Sequence, residues 1–369
     1  MASMSPTHCR WGILGAAMIA QKNWQAIRDA GNATLVAVAS RDVAKSAAFI
    51  QKCQASAPHP QVPEAIGGYD DLLARPDIDA VYIPLPTGLR KEWVMKAAAA
   101  GKHVLVEKPV GVTAADVEDI IAACARHRVQ FMDGVMFMHG ARLKRMRSVL
   151  DDGQSVGDIR HVATQFSFAA DDEFARGNIR ANGALEPLGC LGDLGWYCIR
   201  FILWAMRYEM PVQVTGRIHQ HVTQADAPPV PLEFSGTLTF ANGASASFHC
   251  SFTASNGQWA IVSGAKGLLQ VSDFVLPFAG EQTKFSLTHS PFEQDVCRSD
   301  MHEGKTVETL NEPSNNAPGS QESQLFRTFS ECVLNGKLDP HWPEITLKTQ
   351  RVLDACLESA RLRGRIVSI

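Results

Sequence analysis

The sequence predicts an α/β domain with a doubly wound parallel sheet, joined to an α+β domain with an open, mostly antiparallel sheet. Two observations predict it. Up to about residue 135, short apolar runs alternate with stretches of helical periodicity, the pattern of a parallel sheet covered on both faces. Beyond residue 230, apolar and polar residues alternate one by one, as in strands with one packed and one wet face.

The first strand is the apolar run 11–14, broken by Gly15, and a helix follows over 17–30. A second strand spans 34–40 (TLVAVAS), with a helix over 43–52 and then a connection rich in proline at Pro58, Pro60 and Pro63. The third strand is 80–84; a helix over 91–100 stops at Gly101; the fourth strand is 103–107. Thr113 caps a helix running to Arg126, with Asp116 at the capping-box spacing, and 129–132 is the fifth strand.

In the second half, Phe234, Gly236, Leu238 and Phe240 alternate with Ser235, Thr237 and Thr239. After the hairpin turn Asn242-Gly243, Ala244, Ala246, Phe248, Cys250 and Phe252 alternate with Ser245, Ser247, His249 and Ser251. Further strands are expected over 160–168, 212–219, 259–263 and 268–271. The polar stretch 299–322, rich in Asn, Ser, Gly and Pro, reads as an exposed loop, and helices follow over 324–334 and 344–362. The expected domains are therefore 1–135 and 136–369, with the C-terminal helix a candidate to pack back on the first domain.

Composition bounds the function. The 369 residues carry 35 Lys plus Arg against 38 Asp plus Glu, a formal net charge of −3, and 46% of them are hydrophobic. That is ample for a core and speaks against disorder, and against nucleic acid or an anionic membrane as the main partner. The longest apolar stretches, 81–85 and 201–206, fall far short of the roughly 18 residues of a membrane span. A polar N-terminus without a leader-like core points to a cytoplasmic protein. Nine cysteines with no Cys-x-x-Cys pair, several on apolar faces (Cys124, Cys198, Cys250, Cys356), read as free thiols. His219 and His221 share a strand face but lack a third ligand by spacing, so no metal is expected.

The chemistry-bearing residues lie at strand ends. Gly15, Ala17 and Ala20 fill the three small positions of a G-x-G-x-x-G/A turn opening a helix, with Met18 and Ile19 in its first turn. A pyrophosphate must approach backbone N–H groups there, which makes the first domain a Rossmann dinucleotide-binding domain. The second strand ends in Ser40-Arg41, with Lys45 one turn on, where an NAD-selective fold presents an acid; a hydroxyl and a guanidinium suit a 2′-phosphate, so NADP is expected. Asp42 follows directly and leaves NAD use open. Lys108, in Glu107-Lys108-Pro109, stands at the carboxyl end of a parallel strand, where such sheets bind ligands. Asp193 and Tyr197 are four apart, on one face of a helix expected to begin near Gly192.

Taken in order, the turn from Gly12 to Ala20, Ala39-Ser40-Arg41, Pro84-Leu85-Pro86-Thr87, Ala99-Ala100-Gly101-Lys102-His103-Val104, Glu107-Lys108-Pro109 and the segment from Gly192 to Tyr197 are distinctive. In them the sequence resembles the Gfo/Idh/MocA oxidoreductases over essentially its whole length, most of all the branch with dihydrodiol dehydrogenases, D-xylose 1-dehydrogenases and glucose–fructose oxidoreductase. The resemblance implies an NAD(P)-dependent dehydrogenase or reductase acting on a sugar, an anhydrosugar or a trans-dihydrodiol, and a homodimer formed through the second-domain sheet. It places Pro84, Leu85, Pro86, Thr87, Glu107 and Lys108 at the cofactor, and His139, Arg142, Asp193 and Tyr197 at the substrate. Lys108, Tyr197 and Asp193 become the catalytic candidates: Tyr197 the acid–base group, Lys108 the ammonium beside it, Asp193 a holder of a substrate hydroxyl or of Lys108. A free phenol, with a pKa of about 10, is a poor base at neutral pH, and a neighbouring ammonium in a water-poor cleft corrects that.

Arg90 departs from the resemblance, since His is common there, and puts inferred substrate contacts of that loop in doubt. Phe166, Phe168 and Trp196 read as core or as an apolar wall, and 186–189 as holders of a substrate hydroxyl. Two other readings stay open: a cofactor-binding sensor of the same fold without turnover, and a structural role through the sheet face of Ser245, Ser247, His249 and Ser251.

Overall fold

The structure is a computed structural model that describes residues 7–223, 228–314 and 316–369. The chain forms two compact units. The first takes residues up to 139, 184–187 and 316–350; the second takes 140–183, 188–314 and 351–369. Residues 316–350 thus count with the first unit; the sequence reading placed 136–369 in one domain, with the C-terminal helix a candidate to pack back on the first.

In the first unit, β1 (Cys9–Leu14), β2 (Ala33–Ser40), β3 (Glu64–Gly67), β4 (Ala80–Ile83), β5 (His103–Val106) and β6 (Phe131–Asp133) form a parallel sheet of order β3-β2-β1-β4-β5-β6. The helices between them are α1 (Met18–Asp29), α2 (Val43–Ser56), α3 (Tyr69–Leu73), α4 (Thr87–Ala99) and α5 (Ala114–Arg126). The Thr113–Asp116 capping box opens α5 as its spacing predicts. A later helix, Gln321–Leu334, completes the packing: Trp11, fully buried, meets Phe326 and Phe329 with ring centroids 5.1 and 5.0 Å away, and its indole N–H donates to Ser330 Oγ at 3.1 Å. Two elements differ from expectation. β3 falls in the proline-rich connection; with two exposed and two half-exposed residues at the sheet edge it has no apolar run to announce it. α4 begins at Thr87, four residues before the helical pattern shows.

The second unit opens with α6 (Ala141–Asp151) and is built on β7 (Ile159–Ser167), α7 (Asp172–Gly177), α8 (Trp196–Ala205), β8 (Gln213–Val222), β9 (Val230–Thr239), β10 (Ser245–Ser251), β11 (Gly257–Gly264), β12 (Leu268–Val271), β13 (Gln282–His289), β14 (Phe292–Asp295), β15 (Arg298–Met301), β16 (Gly304–Asn311) and β17 (Val367–Ser368). Nine strands make one sheet of order β16-β13-β12-β11-β7-β10-β9-β8-β17, antiparallel apart from the β7–β10 pair; β14 and β15 pair with each other. The alternation forecast for β9 and β10 holds, with Ala246, Phe248 and Cys250 buried, except at Ser251: expected on the wet face, it is fully buried, its hydroxyl accepting the Thr253 and Ala254 N–H groups at 2.9 and 3.0 Å. Gly236 lies opposite Phe248, where a Cβ would strike the phenyl ring. The stretch expected as a loop over 299–322 instead carries the end of β15 and the whole of β16. An edge strand wet on both faces has no need of apolar residues, which is why its sequence reads as loop. All ten residues of α8 are buried.

No helix of the described residues is long and apolar enough to cross a membrane, and among them no group of three His, Cys, Asp or Glu could hold a metal ion. Cys124, Cys198, Cys250 and Cys356 are buried free thiols, and burial pushes the Cys124 thiol up to about 12.

Candidate active site

The turn from β1 to α1 has the form an anionic group requires. Gly15 adopts φ +125°, and a Cβ there would sit 3.0 Å from Leu85 Cδ2. Its N–H donates to the Ala39 carbonyl at 2.9 Å, which ties the turn to β2. Ala17 sits at the N-cap with an ordinary φ of −82°, so the departure from glycine there costs no strain. No side chain caps α1 and no acid lies in its first turn, while Met18 and Ile19 are exposed. A bare helix N-terminus after a close-packed glycine fits the pyrophosphate of a dinucleotide.

At the end of β2, Ser40 is buried and its carbonyl accepts the Gly68 N–H at 2.8 Å; Arg41 and Lys45 are exposed. Asp42 caps α2, its carboxylate accepting the Ala44 N–H at 2.9 Å. The acid that kept NAD open in the sequence is therefore engaged with its own helix.

The loops after β4 and β5 are tied together by buried polar groups. Thr87 opens α4, where Pro86 offers no capping side chain. Glu186 supplies the cap, accepting the Thr87 N–H at 3.1 Å and the Thr87 hydroxyl. The Gly88 N–H donates to the Leu185 carbonyl at 3.0 Å, and a Cβ on Gly88 would lie 2.8 Å from the Ala184 carbonyl oxygen. The sequence reading offered 186–189 to a substrate hydroxyl; for Glu186 the observed partner is the helix end. Glu107, expected at the cofactor, turns its Oε1 to the Tyr82 hydroxyl at 2.5 Å and to Asn23 Nδ2 at 3.5 Å. Burial, and then the Glu107 carboxylate beside it, raise the Tyr82 phenol well above its ordinary range, so it stays a proton donor to Glu107. Lys108, next in the chain, is buried at 8% exposure.

In the second unit, Asp193 sits in a π-helical turn, Leu191–Gly195, that leads into α8 with Tyr197. The wider i→i+5 turn changes the expected geometry: the step from Asp193 to Tyr197 is not that of one α-helical face. Gly195 permits the turn, since its Cβ position lies 3.2 Å from Cys250 Sγ on β10. Asp193 Oδ2 meets Arg180 Nε at 2.9 Å, a partner that no local sequence signal announces. Tyr197 is buried at 6% exposure, its ring edge-on to Phe166 with centroids 5.6 Å apart.

The softer candidates separate. His139, in the first unit, is buried and stacks on Trp342 at 4.6 Å. Arg142, expected at the substrate, is buried in the second unit on Asp273, through both its carboxylate and its carbonyl, and on the Lys284 carbonyl at 3.2 Å. Its backbone N–H and that of Ala141 donate to Glu312, at 3.1 and 2.6 Å, so a carboxylate far along the chain caps α6 as Glu186 caps α4. His219 and His221 are exposed, and His219 bonds Ser235 Oγ at 2.8 Å.

Comparison with known proteins agrees with this geometry. Residues 9–135 match a family model described as an oxidoreductase family with an NAD-binding Rossmann fold, and residues 143–270 match one described as the GFO/IDH/MocA C-terminal domain. A trans-1,2-dihydrobenzene-1,2-diol dehydrogenase of Bos taurus is 30% identical over 289 residues, covering 76% of this chain and 81% of the relative. An aldose-aldose oxidoreductase of Caulobacter crescentus, solved with glycerol, is 26% identical with a TM-score of 0.77, covering 98% of this chain and 100% of its own. KijD10, a 3-ketoreductase of Actinomadura kijaniata solved with NADP and TDP-benzene, shares the fold at 24% identity and a TM-score of 0.75, covering 95% of this chain and 98% of its own.

Proposed function

The chain belongs to the GFO/IDH/MocA oxidoreductases, and from that premise we propose that it is an NADP-dependent enzyme acting on the hydroxyl or carbonyl of a sugar, an anhydrosugar or a trans-dihydrodiol. Lys108 is the observation that carries the reading. A lysine at 8% exposure is uncommon, and this one follows the carboxyl end of β5, an inner strand between β4 and β6, on the side where parallel α/β sheets hold ligands. The names of the relatives, diol dehydrogenase and aldose oxidoreductase, support the substrate class.

The cofactor would be held by the bare α1 terminus and the Gly15 turn, by Ser40, Arg41 and Lys45, and by the loop from Pro84 to Thr87. Bound there, its nicotinamide supplies the hydride acceptor or donor. Tyr197 takes the hydroxyl proton at its phenolic oxygen when the alcohol is oxidised and returns it in reduction. Lys108 holds positive charge that favours the phenolate, and Asp193 binds a substrate hydroxyl or orients Lys108. Phe166, edge-on to the Tyr197 ring, limits its rotation. The half-exposed polar strand face, with Ser247 and with His249 paired to Glu233 at 3.0 Å, suits a homodimer interface, and solution mass measures it.

An NADP⁺-reduction screen over pentoses, hexoses, anhydrosugars and trans-dihydrodiols tests the activity, with Tyr197→Phe as the control. Turnover on one of these classes, lost in Tyr197→Phe while NADPH affinity stays nearly intact, is expected. NADPH binding with no absorbance change on any substrate would instead mark a sensor.

A further inference from the structure

Arg90 stands on the first turn of α4, buried at 5% exposure, and its guanidinium contacts several separate segments. Nε donates to the Leu85 carbonyl at 2.7 Å. Nη1 donates to the Thr87 hydroxyl at 3.0 Å and to the Pro109 carbonyl. Nη2 lies 3.9 Å from Glu186 Oε1. Leu85 belongs to the loop after β4, Pro109 directly follows Lys108 in the loop after β5, and Glu186 comes from the 184–187 segment. All are in the first unit.

The chemistry needs an arginine. A buried guanidinium is tolerated when acceptors meet its N–H groups, and here two carbonyls and a hydroxyl accept from it while the Glu186 carboxylate stands at ion-pair distance. Its planar fork points five donors in fixed directions. A histidine has two ring nitrogens, and a lysine presents its donors from one atom, so neither spans these acceptors.

We infer that Arg90 is a positioning residue: it fixes the loop after β4 against the loop after β5 and so sets where the Lys108 ammonium is held. The inference rests on the reading of Lys108 as the charge that assists Tyr197. It explains why the position that departs from the family resemblance is buried and bonded to both loops, and it assigns Arg90 no contact with substrate.

Arg90→Ala and Arg90→Lys test it by two measurements. In hydrogen exchange, peptides covering 84–90 and 107–110 should both exchange about tenfold or more faster, with the rest of the chain unchanged. A control, Glu186→Gln, should loosen 84–90 alone. In kinetics, kcat should fall about 10- to 100-fold, since a displacement on the ångström scale carries that cost. The alkaline rise of kcat should shift to higher pH in both variants, a change that loss of folded protein cannot produce. Guanidinium ion at millimolar concentration should partly restore both kcat and pH profile in Arg90→Ala; if that variant does not fold, Arg90→Lys decides. Unchanged exchange in the 107–110 peptides, or a fall in kcat with an unmoved pH profile, overturns the inference. Inactivity of the wild-type protein on every substrate overturns instead the function on which it rests, and exchange data tell the two failures apart.

Discussion

Glu186 accepts both the backbone N–H and the hydroxyl of Thr87, 99 residues earlier in the chain. One carboxylate thus replaces the N-cap that Pro86 does not provide, and it sits where the positive end of α4 favours an anion. Glu186→Ala should lower stability by about 1–2 kcal/mol, read from the urea midpoint. Combined with Thr87→Ala, it should cost at least about 0.5 kcal/mol less than the two changes summed. Strict additivity would show that the pair is not coupled.

In the proposed NADP reading, Arg41 governs the choice of cofactor. Asp42 caps α2, leaving the exposed Arg41 as the charge at the end of β2. A charge-assisted hydrogen bond worth about 1.5–3 kcal/mol corresponds to a ten- to hundredfold effect. Arg41→Ala should raise the Michaelis constant for NADPH by that factor and leave that for NADH nearly unchanged. Equal changes for the two cofactors would refute the assignment.

One buried and one half-buried imidazole make the first unit acid-sensitive. Burial is the main cause holding His59 and His103 below the ordinary range. His103 Nδ1 accepts the Gln130 N–H at 2.8 Å, an acceptor that protonation removes. In the unfolded chain each ring takes a proton near pH 6.5, about its reference value, while the folded chain does not. The unfolded state then binds more protons, so stability is full above about pH 6.5 and is lost as pH falls toward the folded-state values. The urea midpoint should drop between about pH 7.5 and pH 5.5, and drop less in His103→Asn, whose Oδ1 keeps the acceptor. An equal drop in that variant would clear His103 of the effect.

The Gln321–Leu334 helix is part of the first unit's core rather than an appendage. Phe326 is fully buried between Trp11 and Tyr82, with centroids 5.1 and 5.7 Å away. Phe326→Ala should cost about 3–5 kcal/mol, measured by urea unfolding, because so large a cavity cannot collapse inside a packed sheet–helix layer. A cost below about 1 kcal/mol would mean that the helix docks loosely.

Local rules made much of the molecule legible. The β1–α1–β2 succession, the Thr113–Asp116 box and the Asn242-Gly243 turn, where Gly243 has φ +83° and Asn242 Oδ1 accepts the Ala244 N–H at 3.0 Å, each depend on residues within a few positions of one another. Lys108 and Tyr197 stand out as candidates on local signals too, a strand end and a residue spacing, and the family resemblance supplies their proposed roles. The π-helical turn at Asp193 is not legible that way, and Gly195 within it stands close to Cys250 of β10, a residue that no local rule brings there.

From the order of residues alone came the doubly wound sheet, the alternating strands, the nucleotide turn and the names of the chemical groups at the strand ends. Tertiary structure alone decided that Glu186 and Glu312 cap helices, that Arg142 is engaged in scaffolding, and that Arg90 joins two loops. The division has a physical cause. Periodicity and turn chemistry act over three or four residues, whereas the partner of a buried charge is whichever polar group the fold brings within about 3 Å, and that group can come from anywhere in the chain.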